Sequence, residues 1–221
     1  MRRIMLFVVA CLILTGCMES KDAVMQLDDA FAKDMEEMVI RTNNYGRYAD
    51  YYLPSDTQEQ SADILSYSFS YGRSNIIMDI NVSGIINSKY YKDYLIADEG
   101  FFDQGKLFYS REGTYLNSAK EEIPYFYHLY RHDDDYLGYF VSEEVIFYLY
   151  TNGEDLVPVS SRILLMAKGI SISNDDIIAN YSSKDVVDYH KKQVNLFETV
   201  MPVNGVVNDF LIGQESEEDG E

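Results

Sequence analysis

Tryptophan is absent from the 221 residues, and there are only four prolines, three histidines and two cysteines. Each scarcity narrows what the chain can be. Both cysteines, Cys11 and Cys17, fall near the start, so everything beyond them lacks a thiol and can form no disulfide. No serine sits in a Gly-x-Ser-x-Gly elbow, which leaves a hydrolase triad of that kind without a nucleophile. Positive charge is also scarce: 18 lysines and arginines face 37 acids, for a net charge of −19. No basic stripe is available to neutralise a phosphate backbone, so nucleic acid is not an expected partner. The same field opposes flat binding to anionic lipid headgroups. No residue pattern points to a cofactor.

What is present begins with a segment in three parts. Arg2 and Arg3 are followed by an apolar run from Ile4 to Leu14 and then by the small residues Thr15 and Gly16. That is the layout of a signal peptide. Eleven apolar residues make roughly 16 Å of helix, against a hydrocarbon core of about 30 Å. The box Leu14-Thr15-Gly16-Cys17 resembles that of the bacterial lipoproteins: an aliphatic residue, a small or hydroxyl residue, Gly or Ala, then Cys. The resemblance implies cleavage after Gly16 and diacylglycerol on the Cys17 thiol, with the acyl chains as the membrane contact. The expected organisation is then a cleaved signal peptide over 1–16, one globular domain over 17–213 and an acidic disordered tail over 214–221. Loss of Arg2 and Arg3 would take the net charge from −19 to −21. The expected location is the extracytoplasmic side of the cell membrane.

Within the domain, Ser20 can cap a helix from about Lys21 to Thr42. Val24, Leu27, Phe31, Met35 and Met38 recur at helical spacing opposite an acidic face, so this helix should dock on the protein's own sheet. Leu65, Tyr67, Phe69 and Tyr71 alternate with serines, and after Gly72-Arg73 the residues Ile76, Met78, Ile80 and Val82 alternate with Ile77, Asp79 and Asn81, which reads as a hairpin. Further strands are expected over Lys106 to Arg111, Thr114 to Asn117, Ile123 to Arg131, Tyr136 to Val141, Val145 to Thr151 and Leu156 to Val159. A last one is expected over Arg162 to Ala167. Asn152-Gly153 is the strongest turn signal. Ser173 and Asp176, then Ser182 and Asp185, fit capping boxes, and the second should open a helix over about Ser183 to Val200 with His190 on its apolar stripe. The fold class is therefore α+β: an antiparallel sheet of about six to nine strands with the N-terminal and C-terminal helices on one face.

Candidates for chemistry are few. His128 and His132 share a face at four-residue spacing, with oxygen donors beside them at Asp133 and Asp135. Zinc would need a third ligand of defined geometry, and Asp133-Asp134-Asp135 also reads as a simple turn between strands. Asp133, Asp135, Gly138 and Glu144 fall at positions one, three, six and twelve of a calcium loop, but Leu137 occupies position five, where an oxygen belongs. Twenty tyrosines suit strands as well as they suit a sugar platform. The sequence thus favours a non-enzymatic module that binds a ligand or partner, a protein or a cell-wall component, near the membrane. The alternatives are a metal-dependent envelope hydrolase and an assembly factor of a membrane complex.

Overall fold

Leu27 and Phe31 lie one turn apart on the first helix, and both are fully buried. The computed structural model describes residues 22–36, 40–90 and 106–182. Helix α1 occupies 22–36, and by Ile40 the chain is no longer helical, short of the Thr42 expected from its sequence. Asn43 accounts for the difference. Its amide bonds both backbone groups of Leu53, accepting from the N–H at 2.7 Å and donating to the carbonyl at 2.9 Å, which holds the chain extended rather than helical.

From there the chain forms β1 (Asn44–Tyr45), β2 (Ala49–Tyr51), β3 (Gln58–Ala62), β4 (Ser66–Tyr71) and β5 (Ser74–Ile80), then helix α2 (Val82–Tyr90). Four longer strands follow: β6 (Lys106–Leu116), β7 (Glu122–His132), β8 (Asp135–Ser142) and β9 (Val145–Asn152). Helix α3 (Leu156–Lys168), strand β10 (Ser171–Ile172) and helix α4 (Asn174–Tyr181) complete the described chain. Seven strands make one antiparallel sheet in the order β3-β4-β5-β9-β8-β7-β6, and β1-β2-β10 make a second of three strands. The fold is α+β, and the expected β4–β5 hairpin pairs Phe69 with Ile76 and Tyr67 with Met78.

Three expectations are corrected. Leu156 to Val159 and Arg162 to Ala167 are not strands but parts of α3: Leu156, Val159, Ile163, Met166 and Ala167 are buried at three- and four-residue spacing. Pro158 is tolerated because it falls in the first turn, where backbone N–H groups have no partner within the helix. Val82 does not continue β5. Asn81 accepts the Gly84 N–H at 2.8 Å and caps α2. Lys106 to Arg111 and Thr114 to Asn117 are one strand, paired with β7 from Lys106 to Leu116 and bulged once near Leu107 and Tyr109.

Helices α1 and α3 cover the same face of the main sheet. The Phe31 ring lies 5.4 Å from that of Tyr127 at 23°, and the Tyr127 hydroxyl shares a hydrogen bond of 2.7 Å with Ser160 of α3. Burying a phenylalanine side chain contributes about 1.5–3 kcal/mol, and Arg111 adds a cation over the Phe31 ring at 5.4 Å. All four described helices contribute to this one core. On the opposite face Phe126, Tyr139, Val141, Ile146 and Tyr148 form a separate buried cluster. The helix expected over Ser183 to Val200, the signal peptide, Cys17 and the acidic tail lie outside the described residues.

Candidate functional site

Two hairpin turns face each other across a cleft of about 410 Å³. One is the β1–β2 turn, closed by Gly46 N–H donating to the Ala49 carbonyl at 2.9 Å. The other is the β3–β4 turn, where Asp63 N–H donates to the Ser66 carbonyl at 2.8 Å. Period-two alternation sends Tyr51 of β2 and Tyr67 of β4 inward, and each is 3% exposed. Their rings meet edge to face with centroids 5.2 Å apart. Tyr45, Arg47, Glu59 and Asp63 stand at the exposed margin.

Gly46 makes this arrangement possible by close approach. A Cβ there would lie 2.4 Å from the Tyr67 hydroxyl and 2.8 Å from the Ala49 carbonyl oxygen. A side chain there would force the Tyr67 phenol and the β1–β2 turn to shift apart. The Tyr51 hydroxyl donates to the Glu59 carboxylate. Burial raises the Tyr51 phenol well above its ordinary range, and the Glu59 bond adds to the shift. Tyr67 is raised by burial first and then by the nearby carboxylates Glu59, Asp50 and Asp63. Arg47 lies 5.1 Å over the Tyr48 ring, a cation–π contact. The cleft therefore combines phenols and carboxylates with a guanidinium already held on an aromatic face.

A second constellation lies at the β8–β9 turn. Glu144 is 5% exposed, and among the described residues its Oε2 has no hydrogen-bond partner. Its Oε1 is 3.5 Å from the Asn117 amide nitrogen, which also reaches Glu121 at 3.3 Å. Asn117 is itself fixed, because its Oδ1 accepts the N–H of Ala119 and of Glu121 at 3.0 Å each. Burial, then repulsion from Glu143, pushes the Glu144 carboxyl up to about 7. On β5, burial pushes the Asp79 carboxyl up to about 6, and its Oδ1 has no hydrogen-bond partner among the described residues.

The residues singled out from sequence are not brought together. His128 is buried on the far face of β7 with Nδ1 3.0 Å from the Tyr139 hydroxyl. His132 shares that face, but four residues of strand put it about 13 Å away. It is exposed at the β7–β8 turn, 4.0 Å from a still more exposed Asp133. Asp133 takes a positive φ of 54° in that turn, and Asp135 accepts the Tyr150 hydroxyl at 2.5 Å. The segment spaced like a calcium loop is strand β8, whose eight residues separate Asp135 from the Glu144 turn by roughly 25 Å. Among the described residues no three His, Cys, Asp or Glu side chains are placed to share a metal ion.

Tyr51, Tyr67 and Glu59 were not legible as a site, since nothing in twenty tyrosines marks two of them. The available signal was Gly46, a glycine set within the tyrosine-rich stretch from Tyr45 to Tyr52. No protein-family model and no curated protein matches the chain. Its geometry is therefore the guide to function.

Proposed function

We propose that this chain is an exported lipoprotein, anchored through acylated Cys17, whose α+β domain is a non-enzymatic binding module at the outer face of the cytoplasmic membrane. The cleft between the β1–β2 and β3–β4 hairpins is the observation that carries this reading. It joins an aromatic floor to a few converging polar groups, the usual make-up of a ligand site, and it rests on paired strands rather than long loops. The groups able to transfer protons are dispersed instead: His128 on the far sheet face, His132 at one turn and Glu144 at another. Helix α1 is already formed at Asp22, five residues after Cys17, so the anchor would hold the domain close to the bilayer.

Two measurements test the two halves of the proposal. Cys17→Ser should abolish incorporation of labelled palmitate and move the protein from membrane to soluble fractions; full membrane retention would sink the anchor. Cell-wall fragments and peptides should protect amides of residues 44–47 and 59–67 in hydrogen exchange, and protection confined to other regions would sink the cleft.

A further inference from the structure

We infer that the cleft selects an organic cation, a primary ammonium group on an apolar stem such as a lysine side chain presents. This rests on the cleft being the binding site, and it adds the chemistry of the ligand. Glu59 and Asp63 bring two carboxylates to the margin, while the nearby guanidinium of Arg47 is held over the Tyr48 ring. Both carboxylates are oriented before any ligand arrives. Glu59 accepts the Tyr51 hydroxyl through Oε2, and Asp63 accepts the Ile64 N–H through Oδ1 at 2.7 Å. Each keeps a second oxygen for an ammonium N–H, a charge-assisted bond.

The floor suits the same ligand. The exposed apolar groups of the cleft are Ile64, 43% exposed, against which an alkyl stem can lie, and Tyr45, 77% exposed, which can lie over the cation. Burial makes the Tyr67 phenol harder to ionise, and the negative charges of Glu59, Asp50 and Asp63 around it add to that shift. A net charge of −19 would draw cations toward the molecule from a distance. An anionic ligand would meet these carboxylates and lose more than one arginine could return.

The experiment is calorimetric titration of the full-length acylated protein in a non-ionic detergent. Four probes are compared: Nα-acetyl-lysine methylamide, its neutral isostere Nα-acetyl-norleucine methylamide, pentane-1,5-diamine and N-acetylglucosamine. The lysine derivative should bind at least about tenfold more tightly than the norleucine one, and its affinity should fall as salt rises from about 50 to about 500 mM. In a Glu59→Gln, Asp63→Asn double variant that advantage should disappear, although both amide oxygens can still accept from Tyr51 and Ile64. Tighter binding of the diamine than of the lysine derivative would identify a free amine as the source of the cation; the reverse would identify a peptide. Equal binding of norleucine, or binding of the sugar alone, would overturn the cation while leaving the cleft as a site. Lysine binding unchanged in the double variant would overturn the cation assignment, and no binding by any probe would overturn the cleft as well.

Discussion

Replacing Glu144 by glutamine should stabilise the protein increasingly as pH rises above the ordinary carboxylate range. In the unfolded chain this carboxyl ionises near 4.5, whereas burial and the neighbouring Glu143 and Glu121 hold it protonated up to about 7 in the folded protein. Between those values the folded state binds the extra proton, so stability falls as pH rises. Below the lower value both states are protonated and nothing is lost. Above the upper value the loss is complete, and two and a half pH units at 1.36 kcal/mol each make it about 3 kcal/mol.

Glutamine carries no charge at any pH and keeps an Oε1 for the Asn117 amide. Its second polar atom lacks a partner, but so does the O–H of the protonated acid it replaces, and those desolvation costs offset each other. Because the isoelectric point is near 4.4, thermal unfolding is best followed from about pH 5.5 upward, away from precipitation. The advantage of the variant should grow from about 1 kcal/mol at pH 5.5 to about 3 kcal/mol at pH 8, a Tm difference of roughly 6–12 °C at the upper end. Asp79 shifts in the same direction, so wild-type stability alone would mix the two groups; subtracting the curves isolates Glu144. A gap that stays constant with pH, or a variant no more stable at pH 8, would refute a buried, unpaired carboxylate at this corner.

Phe31→Ala should lower stability by about 3–5 kcal/mol, because the ring is fully buried against Tyr109, Tyr125 and Tyr127. Urea denaturation measures it, and a change below about 1 kcal/mol would mean that α1 is not seated on the sheet. Gly72→Ala should cost about 1–2 kcal/mol at a backbone φ of +55°. There a Cβ would also lie 2.5 Å from the Asp155 carboxylate. Adding Asp155→Ala should relieve the clash but not the backbone strain, so the glycine effect in that background should shrink without vanishing.

The parts of the fold that were legible are those with a clean period. Tyr67 and Phe69 alternate with serines, and Ile76, Met78 and Ile80 recur at every second position and face the same core, so β4 and β5 could be drawn from the sequence. Strand β3 could not, because Gln58 to Ala62 are all exposed and an edge strand with no buried face leaves no hydrophobic pattern. Helix α3 was misread for a different reason. Ser160-Ser161-Arg162 splits its apolar residues into two short runs, and Asn152-Gly153 looks like a hairpin turn. Asn152 instead accepts the Asp155 N–H at 3.0 Å, turning the chain into a helix, while Ser160 hides its hydroxyl on the Leu156 carbonyl at 2.7 Å.

The tyrosines show why composition could announce the core but not the site. Tyr115, Tyr127 and Tyr139 are among the largest fully buried side chains, and they fill space as phenylalanine would. Their hydroxyls, however, require partners, and the sequence supplies them one by one: Ser142 for Tyr115, Ser160 for Tyr127, His128 for Tyr139. The same logic reaches the buried tyrosines whose tips point toward the sheet margin, where Tyr109 donates to Asp28 at 2.8 Å and Tyr125 accepts from Arg111 at 3.1 Å. A tyrosine-rich chain with no tryptophan thus uses the phenol as a core residue with a polar tip. Tyr51 and Tyr67 are as buried as the rest, and they differ because they line a cleft: Gly46 leaves room for the Tyr67 hydroxyl, and the carboxylates of Glu59 and Asp63 beside them stay at the surface. It is the glycine and the acids, not the aromatic count, that distinguish a ligand floor from a packed interior.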